Sequence, residues 1–216
     1  MKKVMLLCVS FAIVLISIQL RAQDKLSAAI AQLDKASTVA DYEALAVRFK
    51  QAANAQKNNW LPFYYTALCN AKIGFLLQKD GDRIEPFSIE GEQYAKQAEA
   101  LLKDKGTNKD KAELYTVYSM VYRSKVFINP MTYGREFGML SQQYLDKAAQ
   151  LDPENPRVLY LQAWVKYYTP KMWGGDKDKA KILAQSALKS LSAQPATGEQ
   201  PHWGKPESEE LLAKYK

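Results

Sequence analysis

From about residue 25 onward, apolar side chains recur at three- and four-residue intervals, with Lys, Gln, Glu and Ala between them. That spacing marks one face of a helix, repeated along the chain. No segment alternates apolar and polar residues as a half-buried strand does. The pattern predicts helices near 25–36, 39–56, 60–78, 89–103, 109–127, 136–151, 156–168, 176–193 and 206–215. The breakers lie between them: Lys79-Asp80-Gly81-Asp82, Gly106-Thr107-Asn108, Asn129-Pro130, Asp152-Pro153-Glu154-Asn155-Pro156 and Gly174-Gly175-Asp176. The expected fold class is all-α.

Small residues sit on these helices at regular places. Phe63-Tyr64-Tyr65-Thr66-Ala67, Tyr115-Thr116-Val117-Tyr118-Ser119 and Leu159-Tyr160-Leu161-Gln162-Ala163 align, each ending on a small side chain. The helices that precede or follow carry Leu45, Phe49 and Ala52, then Gly91, Ala95 and Ala98, then Ser141, Leu145 and Ala148, then Ala180 and Ala187. Antiparallel helices approach closely only where contact positions are small and large neighbours fill the space beside them.

Ala148-Ala149-Gln150-Leu151-Asp152-Pro153, with the helix that opens at Pro156, resembles the junction between two tetratricopeptide repeats. The resemblance spans about 38–192 and is strongest over 145–191. It implies a right-handed stack of antiparallel hairpins, about three degenerate units with a helical cap at each end. The period departs from the family: Ala67 to Ser119 is 52 residues and Ser119 to Ala163 is 44, against a standard 34. The excess falls near 79–88, 126–136 and 169–176, as longer loops or helices. A generic α-helical stack stays open as the alternative. Pro170-Lys171-Met172-Trp173-Gly174-Gly175-Asp176 and Pro201-His202-Trp203-Gly204 also resemble segments of exported Bacteroidetes-type repeat proteins of unknown role.

The first residues follow another plan. Lys2 and Lys3 precede a largely apolar run from Val4 to Leu20, and Arg21-Ala22 ends it. This is the layout of a secretory signal cut near Ala22, so 1–22 is read as a signal peptide and 23–216 as one helical repeat domain. The run only just reaches the length of a membrane span, which leaves an uncleaved anchor as the other reading. The signal holds three of the 30 basic side chains, so 27 remain against 23 acidic ones, a net +4 instead of +7. Such a balance is no nucleic-acid footprint. Cys8 leaves with the signal, and Cys69, among Ala67, Leu68 and Ala71, is expected to be a buried inert thiol without a disulfide partner.

Catalytic chemistry finds no support. His202 is the only histidine, and no nucleophile or orienting acid accompanies it in a known pattern. No phosphate-binding glycine loop, nucleophile elbow or metal-ligand spacing is present. No cofactor is expected.

In the repeat family, spaced positions on the first helix of each unit line an inner groove. The resemblance carries that role to Tyr64, Arg123, Arg157, Tyr160, Trp164 and Tyr168, together with Leu68, Lys72, Glu113, Thr116, Met120 and Tyr167. The lengthened connections add Tyr133, Arg135, Met172 and Trp173 on one edge. Aromatic faces with Arg and Lys suit a peptide or a sugar. The bland reading stands beside it: the groove aromatics as interhelical core, and the edge aromatics as plugs folded onto the helices. The expected function is that of an exported, non-catalytic scaffold binding a peptide segment or helix of an envelope protein. The alternative is capture of a small solute or glycan for uptake, which convergence of Trp164, Tyr168 and Trp173 on one cavity would favour.

Overall fold

The computed structural model describes residues 25–194 and 198–215. The expected signal peptide, with Cys8 and the cleavage site, lies outside them. Within them the fold is all-α. Helix α1 runs through 25–33, followed by α2 (Val39–Ala55), α3 (Trp60–Leu76), α4 (Glu85–Leu102), α5 (Asn108–Ile128), α6 (Pro130–Leu151), α7 (Pro156–Tyr168), α8 (Lys177–Ala193) and α9 (Lys205–Ala213). Short 3-10 turns occupy Gly81–Arg83 and Lys171–Trp173.

Local chemistry sets most of the starts. Thr38 and Thr107 each accept from the backbone N–H three residues on, while Asp41 and Asp110 reach back to the capping residue. Asn59, Asn129, Asn155 and Asp176 cap α3, α6, α7 and α8 through their side-chain oxygens. Each such cap contributes about 1 kcal/mol.

Two expected helix starts move by more than one residue. Helix α4 starts at Glu85 instead of near 89, and α6 starts at Pro130 instead of near 136. Most of the excess over a standard repeat is therefore helix. The cause is Pro86 and Pro130, which sit in the first turn of their helices, where the missing N–H costs nothing. Tyr133 and Arg135 accordingly stand on α6 and not on a loop. The connection at 169–176 keeps an irregular course around the turn at Lys171–Trp173.

Consecutive helices pack antiparallel. The hairpins are α3/α4, α5/α6 and α7/α8; α2 packs on α3, and α9 on α8 and α7. The first helices of the hairpins, α3, α5 and α7, lie side by side. Helix α3 is the centre, with every side chain from Leu61 to Gly74 buried, as an apolar surface all round the helix requires. The small positions sit at the crossings: Ala67, Ala95, Ala98, Ser119, Ser141, Ala148, Ala163, Ala180 and Ala187 are all at or below 1% exposure. Gly74 sets the closest approach, because a Cβ there would lie 2.4 Å from Cβ of Ser124 on α5. Among the described residues no helix is long and apolar enough to cross a membrane.

Candidate functional site

Helices α3, α5 and α7 run in the same direction, and one face of each forms the inner surface of the stack. Eleven residues are three helical turns, so Tyr64 and Phe75, Thr116 and Phe127, and Arg157 and Tyr168 lie on matching faces of their helices. The inner surface thus has two rows, one near the helix N-termini and one near the C-termini, about 16 Å apart on α3 at 1.5 Å per residue.

The N-terminal row is sealed by the chain itself. Residues 198–211 cross it from α1 to α7. Tyr65 donates to the Glu199 carbonyl at 2.7 Å, and Trp203 Nε1 donates to the Tyr64 hydroxyl at 2.7 Å. His202 bridges the Asp34 carboxylate and the Gln200 carbonyl, 3.0 Å from each. Trp203 is 5% exposed, edge-on to Tyr160 and under the Lys72 ammonium, 4.7 Å from its ring centre. Lys72 also pairs with Glu207. Gly204 turns the chain into α9 at φ +115°, a left-handed conformation that a glycine adopts without strain.

Beneath this strap lies a buried ion pair. Arg157 Nε donates to both Glu113 oxygens at 2.8 and 2.7 Å, and its Nη2 lies 2.6 Å from Oε1. Asn155 Nδ2 and the Tyr64 hydroxyl complete the carboxylate's partners at 2.6 and 3.3 Å. Burial alone lowers the Arg157 pKa, but Glu113 more than offsets it and the net direction is up. Burial pushes the Tyr64 and Tyr160 hydroxyls well above the usual phenol range. Tyr64, Arg157 and Tyr160 therefore do not line an open groove. The strap covers them, with Trp203 held by the Tyr64 hydroxyl and edge-on to Tyr160.

The C-terminal row is open. Phe75 meets Phe127 at 5.4 Å and Trp164 at 5.2 Å, and Trp164 meets Tyr168 at 4.7 Å. Phe75, Phe127 and Trp164 are packed on the core yet partly solvent-facing, and Tyr168 at 48% and adjacent Leu76 at 46% are exposed. Lys214, ion-paired with Glu210 at 3.5 Å, stands beside the Tyr168 hydroxyl, and that neighbour raises its pKa. Lys177 lies over Tyr167, 5.0 Å from its ring centre.

The remaining expected residues fall elsewhere. Tyr133 packs on Phe137 at 5.4 Å, at the end of an aromatic ladder between α5 and α6. There Tyr118 stacks on Tyr144 at 4.5 Å, and the Tyr118 and Tyr122 hydroxyls donate to Glu99 and Glu92. Arg123 and Trp173 line a cavity of about 490 Å³ between α5, α6, α7 and α8. Trp173 is 73% exposed there and does not plug the helices. Trp164 and Tyr168 thus converge, while Trp173 sits across α7 from them. Among the described residues no group of His, Cys, Asp and Glu could hold a metal ion. Cys69 is fully buried and free, and burial raises its pKa.

Phe75 is absent from the expected site residues, and Phe127 falls in the expected connection near 126–136. The eleven-residue spacing from Tyr64 and Thr116 was the available signal.

Together the fold and the inner surface define an all-helical protein with a self-sealed row and an open aromatic row. Neither a family model nor a curated protein matches the chain. Among solved structures it is similar to the HusA haemophore from Porphyromonas gingivalis. The two share 30% identity over 88% of this chain and 90% of that one, with a TM-score of 0.74. The chain belongs to the family of that haemophore.

Proposed function

We propose that this chain is a non-catalytic carrier of a flat ring system with apolar faces and anionic edges, of the porphyrin class, bound along the open aromatic row. The carrying observation is that Phe75, Phe127, Trp164 and Tyr168 form one connected surface that the fold leaves partly exposed. A porphyrin presents two apolar faces and two carboxylates. Aromatic side chains stack on the former, each pair contributing about 0.5–1.5 kcal/mol beyond area burial, and Lys214 at the rim suits the latter. The related protein's name, a haemophore, supports the same ligand class.

Docking of a peptide or partner helix has less support, because residues 198–211 already fill the row where an extended segment would lie. We read α3–α8 as three degenerate tetratricopeptide-like hairpins whose lengthened helices build the open row. We also read 1–22 as an export signal and the mature chain as periplasmic or secreted; N-terminal sequencing of the mature protein checks this reading.

The test is an absorbance titration of the purified chain with haemin and with metal-free protoporphyrin. Both should bind, and Trp164→Ala should weaken both at least tenfold. Tyr133→Ala, in the ladder, should change neither. Failure of haemin to bind, or equal binding by Trp164→Ala, would sink the proposal.

A further inference from the structure

The cavity between α5, α6, α7 and α8 lies on the opposite side of α7 from the open row. Its lining combines three cations, Arg123, Lys166 and Lys179, with one carboxylate, Asp146. Asp146 accepts a hydrogen bond from Gln142 at 2.8 Å, and Lys166 donates to the Gly174 carbonyl at 2.8 Å. Arg123 differs from both. Its Nε is buried and has no hydrogen-bond partner among the described residues. Burial lowers its pKa, with no acid opposing that direction. A buried N–H without an acceptor costs stability, and the Nε of Arg157, only one helix away, has its carboxylate. Leu145, Val165 and Leu183 supply apolar wall, and the Trp173 ring stands at the mouth, on a turn tied back to α7 by Asp176 N–H donating to the Lys166 carbonyl at 3.0 Å. The volume, about 490 Å³, falls within the range of small-molecule sites.

We infer that this cavity is a second binding site, which takes a small organic anion carrying an apolar ring, its acid group on Arg123 and its ring against Trp173. The net positive lining attracts the anion, and the ligand supplies the acceptor that the fold withholds from Arg123. This site does not depend on the porphyrin reading, since no residue is shared with the open row.

The probes are 8-anilinonaphthalene-1-sulfonate and N-phenyl-1-naphthylamine, which share the ring system and differ by the acid group. Fluorescence titration of the full chain should find the anion at least tenfold tighter than the neutral probe. Arg123→Met should weaken the anion at least tenfold and leave the neutral probe within threefold. Trp173→Leu and Lys179→Gln, at exposed positions where folding is not at stake, should each weaken the anion several-fold. Trp164→Ala should leave it unchanged. The thermal midpoint of Arg123→Met should be equal or higher, because an unpartnered charge has been removed. Equal affinity for the two probes would overturn the proposal, as would no binding at all. So would anion binding lost in Trp164→Ala but kept in Arg123→Met. A lower midpoint for Arg123→Met would also overturn it, since the arginine would then hold the fold and not a ligand.

Discussion

The two rows of the inner surface sit on the same three helices and are both built from aromatics, yet they do opposite things. In the N-terminal row most polar groups have found a partner within the chain: Tyr64 and Trp203 each other, Tyr65 a carbonyl, Arg157 a carboxylate. In the C-terminal row the aromatic partners of Phe75, Phe127 and Trp164 are one another and Tyr168, and their outer faces stay partly exposed. A surface whose polar groups are largely satisfied by the chain itself is closed to a guest. One whose apolar faces reach solvent with nothing across from them has room for a guest. Composition does not separate the rows; the strap at 198–211 does.

Removing the acid under the strap should break the contrast most severely. Glu113→Ala leaves Arg157 buried without its counter-ion, so urea unfolding should register a loss of about 3–5 kcal/mol. A loss under ~1 kcal/mol would mean the pair is not desolvated as described. Trp203→Ala should cost about 3 kcal/mol, at the lower end for a large core residue, because the strap can settle into part of the space. The variant's near-ultraviolet circular dichroism should lose signal from the sealed row while the open row still binds haemin.

On the open row the balance reverses. Trp164→Ala is only partly buried and should cost about 1–2 kcal/mol of stability, but at least tenfold in porphyrin affinity. If its stability loss matched that of Trp203→Ala, the two rows would not differ in kind.

Acid should act on one row alone. Burial raises the Glu207 pKa, but the Lys72 ammonium and nearby backbone N–H groups more than offset this and hold it below its ordinary 4.5. A carboxyl depressed in the folded state stabilises above its unfolded pKa, and that contribution is lost as pH falls through the folded value. The strap should therefore loosen below about pH 4.5. Trp203 fluorescence, followed in a Trp60→Phe/Trp164→Phe/Trp173→Phe background, should change there. In Glu207→Gln the acid-dependent change should shrink. An unchanged profile in that variant would mean another carboxyl governs the transition.

Most of the helices could be read from the chain, because their capping residues and small contact positions are local. The helix starts that moved were at Pro130, read as a break, and at Pro86, placed in the connection near 79–88, although proline fits a first turn. Asn129 shows why: it ends α5 and, through its side chain on Thr132 N–H, starts α6. The site was half legible. Trp164, Tyr168 and Trp173 stand at surfaces a ligand can reach. Tyr64, Arg157 and Tyr160 have the right helical face but are covered by a segment more than forty residues further along the chain. No local pattern announces that cover. Pro201-His202-Trp203-Gly204 was visible as an unusual run, but its seat on α1, α3 and α7 is tertiary information.

The strap also bears on how the molecule forms. Its contacts join residues 134, 139 and 172 positions apart: Tyr65 to Glu199, Tyr64 to Trp203, Ser27 to Glu199. The hairpins, by contrast, close over short range, and contacts of such different sequence separation form on different timescales. The stack should assemble first, with both rows exposed, and the sealed row should close in a later, slower phase. In a stopped-flow refolding trace, helical signal should therefore return before Trp203 is shielded from a soluble quencher. Simultaneous recovery would mean the strap belongs to the folding nucleus. During that interval the nascent protein displays sticky aromatic surface that it later covers, and a holdase would find its footing there.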